Sequence, residues 1–155
     1  PLLISANRHV DQYSTFGFDV IGDGNAEFNG PMAGLLAGLR AARTPWLLCV
    51  PCDAPGLPLD LAARLTTAAT DDVDVVFPIS GPDSTPQKQP TFCLLRPRLQ
   101  DDLAKHLAQG GRKLDAWLRA QSHIALRFDH PDDADAFFNA NSLADLRQLE
   151  RSNVS

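Results

Sequence analysis

Short apolar runs alternate with helix-like patterns along most of the chain. Each run has four to six residues, is almost continuously apolar and is bounded by turn-forming residues, which is typical of strands buried on both faces. The runs lie at residues 2–6, 19–22, 46–50, 74–79, 91–95 and 124–128. This alternation predicts an α/β fold with three layers and a mostly parallel sheet.

Helical periodicity separates several of these runs. Residues 31–43 place Met32, Leu35, Leu36 and Leu39 on one face, and Pro31 suits a first helical turn. Further apolar repeats predict helices at residues 59–69 and from Leu99 to a stop at Gly110–Gly111; Ser142 and Asp145 have the spacing of a capping box. The polar segment 80–90 predicts a mobile loop, because it is rich in turn-forming residues.

Length and composition narrow the class of protein. The 155 residues suit a single domain, predicted over residues 1–150 with a tail at 151–155. A net charge of −5 argues against a protein that holds nucleic acid by general phosphate attraction, and no apolar run approaches the roughly 18 residues that span a bilayer. Three cysteines are too few for a disulfide scaffold, so we expect a cytoplasmic protein.

The stretch CVPCDAPGLP contains a C-x-x-C pair directly before Asp53. Cys49 falls inside a predicted strand, and side chains three positions apart in an extended chain point to opposite faces. This argues against a redox pair or a shared metal ion, so we expect Cys49 and Cys52 to be small buried residues. Asp53 lies just beyond the carboxyl end of the strand, where open α/β sheets place their ligands. By position alone it is either a ligand for Mg²⁺ or a turn-forming aspartate.

A second carboxylate has a similar position. Asp23 follows the run at residues 19–22 and precedes a loop that leads into the predicted helix at Pro31. The helix start at Gly30 offers backbone N–H groups to an anion, although the same glycine and proline are also typical of simple helix initiation.

Seven short motifs, in this order, resemble those of the molybdenum cofactor guanylyltransferase family. They are SANR, VIGD, GPMAGLLAGL, PCDAP, QPTFCLL, GGRKLDAWL and FFNANSLADL, and together they cover nearly the whole chain. The resemblance implies a Rossmann-like nucleotidyltransferase that uses GTP and Mg²⁺. In this reaction the phosphate of molybdopterin, with or without bound molybdenum, attacks the α-phosphate of GTP, and molybdopterin guanine dinucleotide and pyrophosphate are formed.

The resemblance also implies roles for individual residues. Asp53 and Asp23 would be catalytic, with Asp53 binding Mg²⁺ and Asp23 contacting the ribose–phosphate region of GTP or supporting the metal. Ser5, Asn7 and Gly30 would complete the nucleotide site. Molybdoenzymes and their chaperones are implied as recipients of the product.

The second half of the chain would then hold the pterin. Its predicted residues are Pro90, Thr91, Arg112, Lys113, Asn139 and Asn141. Asparagine amides can bond a pterin edge or a phosphate, and arginine and lysine suit phosphate. The same residue types also occur in ordinary turns, caps and exposed helix starts, so spacing alone leaves both interpretations open.

The family's glycine-rich, lysine-containing phosphate loop is not found in these residues. The chain begins at Pro1 and enters an apolar run at once, and a strand–loop–helix unit takes roughly 30 residues, so we expect such a unit upstream in the full gene product. Two alternatives are a related cytidylyl or sugar-phosphate nucleotidyltransferase and a non-catalytic nucleotide- or pterin-binding module.

Overall fold

The computed structural model describes residues 1–22, 30–133, 136–142 and 144–145. The chain forms two compact units, the first made of Pro1–Cys49 with Leu95–Gln121 and the second of Val50–Leu94 with Ser122–Ser155. Each of the six predicted apolar runs overlaps a strand. The strands are β1 Leu3–Ser5, β2 Asp19–Ile21, β3 Leu47–Cys49, β4 Val75–Ser80, β5 Gln87–Lys88, β6 Cys93–Leu95 and β7 His123–Arg127. The helices are α1 Val10–Ser14, α2 Pro31–Ala41, α3 Leu61–Ala68, α4 Gln100–Ala108 and α5 Leu114–Ala120.

Helix α2 is the centre of the first unit. The predicted apolar face is confirmed, because all four of its side chains are buried. The helix contacts β1, β2, β3 and α4, and β1 pairs with β2 in parallel from Leu3↔Asp19 to Ser5↔Ile21. The prediction that every strand is buried on both faces is wrong for β1, β2, β3 and β7, whose residues are half-buried or exposed. Strands β1 and β2 form only a two-stranded sheet in the described residues.

Helices α4 and α5 also belong to the first unit. Helix α4 buries Leu103 and Leu107 and ends just before the glycine pair that predicts its stop. Helix α5 was not predicted from periodicity, since its seven residues give too short a pattern. Asp102 of α4 accepts hydrogen bonds from the indole Nε1 of Trp117 at 2.7 Å and from Nε2 of Gln121 at 3.0 Å. No helix in the described ranges is long and apolar enough to cross a lipid bilayer.

Strand β4 is the centre of the second unit. Its nearly continuous apolar sequence is buried from Val75 to Pro78, as expected for a central strand. Strand β7 pairs with it in parallel along its length, from Val75↔His123 to Ile79↔Arg127. Strand β6 is also its neighbour, and helix α3 packs on β4 and β7.

The predicted loop 80–90 has more order than its composition indicates. Strand β5 within it pairs with the end of β4 in antiparallel fashion. Arg127 of β7 donates from Nη2 to the carbonyl oxygen of Gly81 at 2.9 Å and forms an ion pair with Asp83. A distant cation therefore fixes the turn, and local composition does not reveal this contact.

Candidate functional site

The loop after β3 brings Asp53 next to the predicted pterin-binding asparagines. The side chain of Asp53 is half-buried, and its backbone carbonyl oxygen accepts a hydrogen bond of 2.8 Å from the N–H of Ala140. Ala140 lies between Asn139 and Asn141, both of which are exposed. Residues separated by more than 80 positions in the sequence thus lie side by side in the second unit.

A capping box ends the asparagine segment. The carboxylate Oδ2 of Asp145 accepts hydrogen bonds from the N–H groups of Asn141 and Ser142, both at 2.9 Å. The hydroxyl oxygen of Ser142 in turn accepts one from the N–H of Asp145 at 3.2 Å. This reciprocal pair confirms the predicted capping box and holds the backbone just after the asparagines.

Pro90 and Thr91 lie in the same unit, close to this segment in space. Both are half-buried and directly precede Phe92. The ring of Phe92 packs edge-on against Phe137, with centroids 5.0 Å apart and planes at 73°. Since Phe137 is two residues before Asn139, the aromatic contact joins the two predicted pterin-binding segments.

Arg64 and Asp133 form an ion pair that the sequence analysis missed. The guanidinium donates two hydrogen bonds to the carboxylate, at 2.8 and 3.0 Å, and Asp133 is 6% exposed. The hydrogen bond to Asp133 raises the pKa of Arg64 above its ordinary value, although partial burial acts in the opposite direction. A separation of 69 residues leaves no sequence signal for this pair.

The first unit holds three residues of the predicted nucleotide site, Ser5, Asn7 and Gly30. Ser5 is exposed at the end of β1, and Asn7, also exposed, follows two residues later. Gly30 caps the start of α2 with φ of 110°, a backbone conformation that glycine tolerates and other residues rarely adopt. Gly34, one turn further, lies against Ser5, because a Cβ added to it would be 2.8 Å from the serine Oγ. Asp23 lies outside the described residues.

Arg112 and Lys113 connect α4 to α5 in the first unit. The Nη1 group of Arg112 donates to the carbonyl oxygens of Leu107 at 3.2 Å and of Gly111 at 2.7 Å, so the side chain closes the end of α4. Lys113 is exposed and directly precedes α5. The two residues predicted to bind phosphate are thus exposed cations, and Arg112 also donates hydrogen bonds to carbonyl oxygens at the end of α4.

The two cysteines before Asp53 are less buried than predicted. Cys49 is half-buried in β3 and Cys52 is exposed in a surface turn. The prediction of two buried side chains is therefore wrong for Cys52 and only partly met by Cys49. Among the residues that the structure describes, no three His, Cys, Asp or Glu side chains are grouped so that they could hold a metal ion. Mg²⁺ commonly takes several of its oxygen ligands from substrate phosphates and water.

Comparison with known proteins identifies the family. The family described as "MobA-like NTP transferase domain" matches residues 1–124. A molybdenum cofactor guanylyltransferase of Ralstonia nicotianae is 47% identical over 154 residues, which cover 96% of this chain and 74% of the relative. A protein of the same name from Albidiferax ferrireducens is 46% identical over 158 residues, covering 97% and 75%.

Solved structures show the fold. A molybdopterin-guanine dinucleotide biosynthesis protein A from Archaeoglobus fulgidus has a TM-score of 0.74 at 17% identity, over 98% of this chain and 78% of that one. The 2-C-methyl-D-erythritol 4-phosphate cytidylyltransferase of Thermus thermophilus has a TM-score of 0.73 at 18% identity, over 99% and 82%. These likenesses confirm the predicted α/β, Rossmann-like nucleotidyltransferase fold with a mostly parallel sheet.

The family match covers most of the chain, and the curated relatives are matched over about three quarters of their own length. The chain belongs to the MobA-like NTP transferase family, among the molybdenum cofactor guanylyltransferases.

Proposed function

We propose that the protein transfers GMP from GTP to molybdopterin. An oxygen of the molybdopterin phosphate forms a bond to the α-phosphorus of GTP, and the bond from that phosphorus to the bridging oxygen of the β-phosphate breaks. The products are molybdopterin guanine dinucleotide and pyrophosphate. The observation that carries the proposal is the 46–47% identity to proteins named molybdenum cofactor guanylyltransferase over nearly the whole chain. The 2.8 Å hydrogen bond between Ala140 and Asp53 supports it, because it joins the residue expected at the nucleotide to the segment expected at the pterin.

Asp53 is the proposed ligand for Mg²⁺. Its half-buried carboxylate projects from a turn that contains Pro51 and Pro55, and its backbone is tied to Ala140. A single carboxylate fits Mg²⁺, which is usually held by one or two carboxylates together with substrate phosphates and water. When bound, the ion would neutralise charge on the phosphates as the leaving pyrophosphate departs.

The remaining predicted residues would bind and orient the two substrates. Asn139 and Asn141 are exposed, and each amide offers a donor and an acceptor for the pterin ring or its phosphate. Ser5 and the start of α2 at Gly30 would face the nucleotide, where backbone N–H groups favour an anion. Holding two reactants in line is the main task of such a protein, because phosphoryl-type transfer needs little covalent help.

Removing the carboxylate at Asp53 tests the proposal. In the full-length protein we expect Asp53→Asn to lower the rate of product formation about a hundredfold or more, since a metal contact contributes several kcal/mol of charge stabilisation. Product and pyrophosphate are measured together, with a titration of Mg²⁺. The matched control is Asp71→Asn, which removes an exposed carboxylate from the same unit and should leave the rate unchanged.

Three results would contradict the proposal. Unchanged product formation by Asp53→Ala would reject Asp53 as the metal ligand. Tighter equilibrium binding of CTP than of GTP to the full-length protein would favour the cytidylyl alternative. Loss of all transfer from the wild-type protein, with nucleotide binding retained, would favour a non-catalytic binding module.

The cellular setting of the reaction stays a prediction. The cysteine content favours the cytoplasm, and the family implies that molybdoenzymes or their chaperones receive the product. Pull-down of the full-length protein from cells that make a molybdoenzyme would test the second point.

A further inference from the structure

The Arg64–Asp133 pair has a geometry that only arginine supplies. Nη1 and Nη2 of the guanidinium each donate to a different oxygen of the carboxylate, and this bidentate contact restrains its orientation. The same guanidinium lies over the ring of Phe128, 3.6 Å from the centroid. A lysine keeps the charge but has neither the fork nor the planar face, so it cannot reproduce both contacts.

Asp133 sits in a tight turn that its own backbone and side chain build. Its N–H donates to the carbonyl oxygen of His130 at 2.8 Å, and its Oδ2 accepts a longer contact of 3.3 Å from the N–H of His130. Its carbonyl oxygen accepts from the N–H of Ala136 at 3.1 Å. Fixing the carboxylate therefore fixes the turn that leads into the asparagine segment.

Phe137 transmits this position to the predicted site. Its ring packs edge-on against Phe128 at 5.3 Å and against Phe92 at 5.0 Å. Three residues further, Ala140 donates its hydrogen bond to the carbonyl oxygen of Asp53. Each link lies within the second unit, and together they run from α3 to the two asparagines.

We propose that Arg64 is a positioning residue that holds Asn139 and Asn141 beside Asp53, acting through Asp133 and Phe128. The inference rests on the proposed function, because it assigns Arg64 an effect on the affinity for molybdopterin. Arg64 does not touch the substrates in this scheme. Its replacement should misplace the asparagines and weaken acceptor binding more than GTP binding.

A purely structural role is the alternative. Buried ion pairs are weak evidence for net stability, since a well-packed apolar replacement is often as stable. Breaking one partner alone is different, because it leaves an unpaired buried charge. The test therefore uses Arg64→Lys, which keeps the charge, and the double variant Arg64→Met with Asp133→Asn, which leaves no charge behind.

The experiment uses the full-length protein and two readouts. The first is the KM for molybdopterin and for GTP. In Arg64→Lys and in the double variant we expect the KM for molybdopterin to rise about tenfold, because small displacements from a productive geometry are costly. The KM for GTP should change by less than about twofold. The second is hydrogen exchange of the Ala140 amide by NMR, which should become about tenfold faster as its local opening becomes easier.

Controls separate local from general effects. Arg119→Lys alters an exposed ion pair with Asp115 in α5 and should change neither readout. The backbone N–H of Gln89 donates to the carbonyl oxygen of Pro78 at 2.9 Å in the second unit, and it should exchange at the wild-type rate in all variants.

The outcomes decide between the possibilities. Unchanged exchange at Ala140 together with an unchanged KM for molybdopterin overturns the inference. Faster exchange at both Ala140 and Gln89 with an unchanged KM also overturns it, because it shows general destabilisation. If the wild-type protein makes no product, the proposed function fails. The exchange rate at Ala140 then still decides whether Arg64 holds this segment, with faster exchange supporting the inference and wild-type exchange overturning it.

Discussion

The substitution Gly34→Ala should have little effect on the free energy of unfolding but should weaken GTP binding. In Gly34→Ala the new Cβ would be 2.8 Å from Oγ of Ser5 and 3.8 Å from its Cβ. The second distance is an ordinary contact, whereas the first is too short, so the serine hydroxyl must move. Ser5 is exposed at the end of β1, and its hydroxyl can rotate without moving the backbone.

Two opposing effects set the magnitude. Alanine is more favourable than glycine in a helix interior by about 0.5–1 kcal/mol. A hydroxyl held about 30° from its preferred rotamer costs about 0.5–1.5 kcal/mol. The net change for Gly34→Ala alone should therefore lie within about 1 kcal/mol of zero. In a Ser5→Ala background the steric conflict is gone, so there Gly34→Ala should stabilise by the full 0.5–1 kcal/mol or so.

The assay is urea unfolding of the wild-type protein, both single variants and the double variant, combined with calorimetric titration of GTP. If Ser5 contacts the nucleotide as predicted, Gly34→Ala should weaken GTP binding severalfold, and it should add little to the effect of Ser5→Ala. Gly38→Ala is the matched control in the same helix, because its Cβ meets only the flexible end of Leu47 at 3.2 Å. It should leave GTP affinity unchanged.

Two results would refute the reasoning. A loss of more than about 1 kcal/mol from Gly34→Ala in the Ser5→Ala background would mean that the helix and strand approach more closely than the structure shows. Unchanged GTP affinity in both Ser5→Ala and Gly34→Ala would remove Ser5 from the nucleotide site.

Two further predictions concern polar contacts away from the site. Asp102→Ala should lower the free energy of unfolding by about 1–3 kcal/mol, because it leaves the indole N–H of the buried Trp117 without its carboxylate partner; Asp102→Asn, which keeps an oxygen acceptor, should recover most of this loss in urea unfolding. The hydroxyl of Thr70 donates to Asp72 at 2.7 Å and lowers the pKa of that carboxyl below its ordinary value of 3.8, so Thr70→Val should raise that pKa in an NMR titration. Because a lowered folded-state pKa stabilises above the unfolded pKa and this contribution is lost as pH falls through the folded one, the variant should be less stable at neutral pH, and its difference from the wild type should shrink in strong acid. An unchanged Asp72 titration would contradict this.

Local patterns in the sequence determined the elements and much of their burial. The apolar face of α2, the buried strand β4 and the stop of α4 at its glycine pair all followed from periodicity and turn chemistry. The capping box at Ser142 was also readable, since both partners lie within four residues. Such features depend on neighbours along the chain, so the sequence carries them directly.

The candidate site was predicted only in part. Ordered motifs placed Asp53, Asn139 and Asn141 in one family pattern, and the structure brings these residues together. Their roles stay predictions. The prediction that Cys52 is buried is wrong, because the C-x-x-C spacing does not show on which side of a turn a side chain lies.

Only the tertiary structure revealed the contacts between distant residues. Arg64 and Asp133 are 69 positions apart, and each reads locally as an ordinary surface charge. The same holds for Ala140, whose backbone N–H finds its partner in the loop of Asp53. A charge or a backbone donor in a sequence shows that a partner is needed, but the partner itself is chosen when the strands and helices pack.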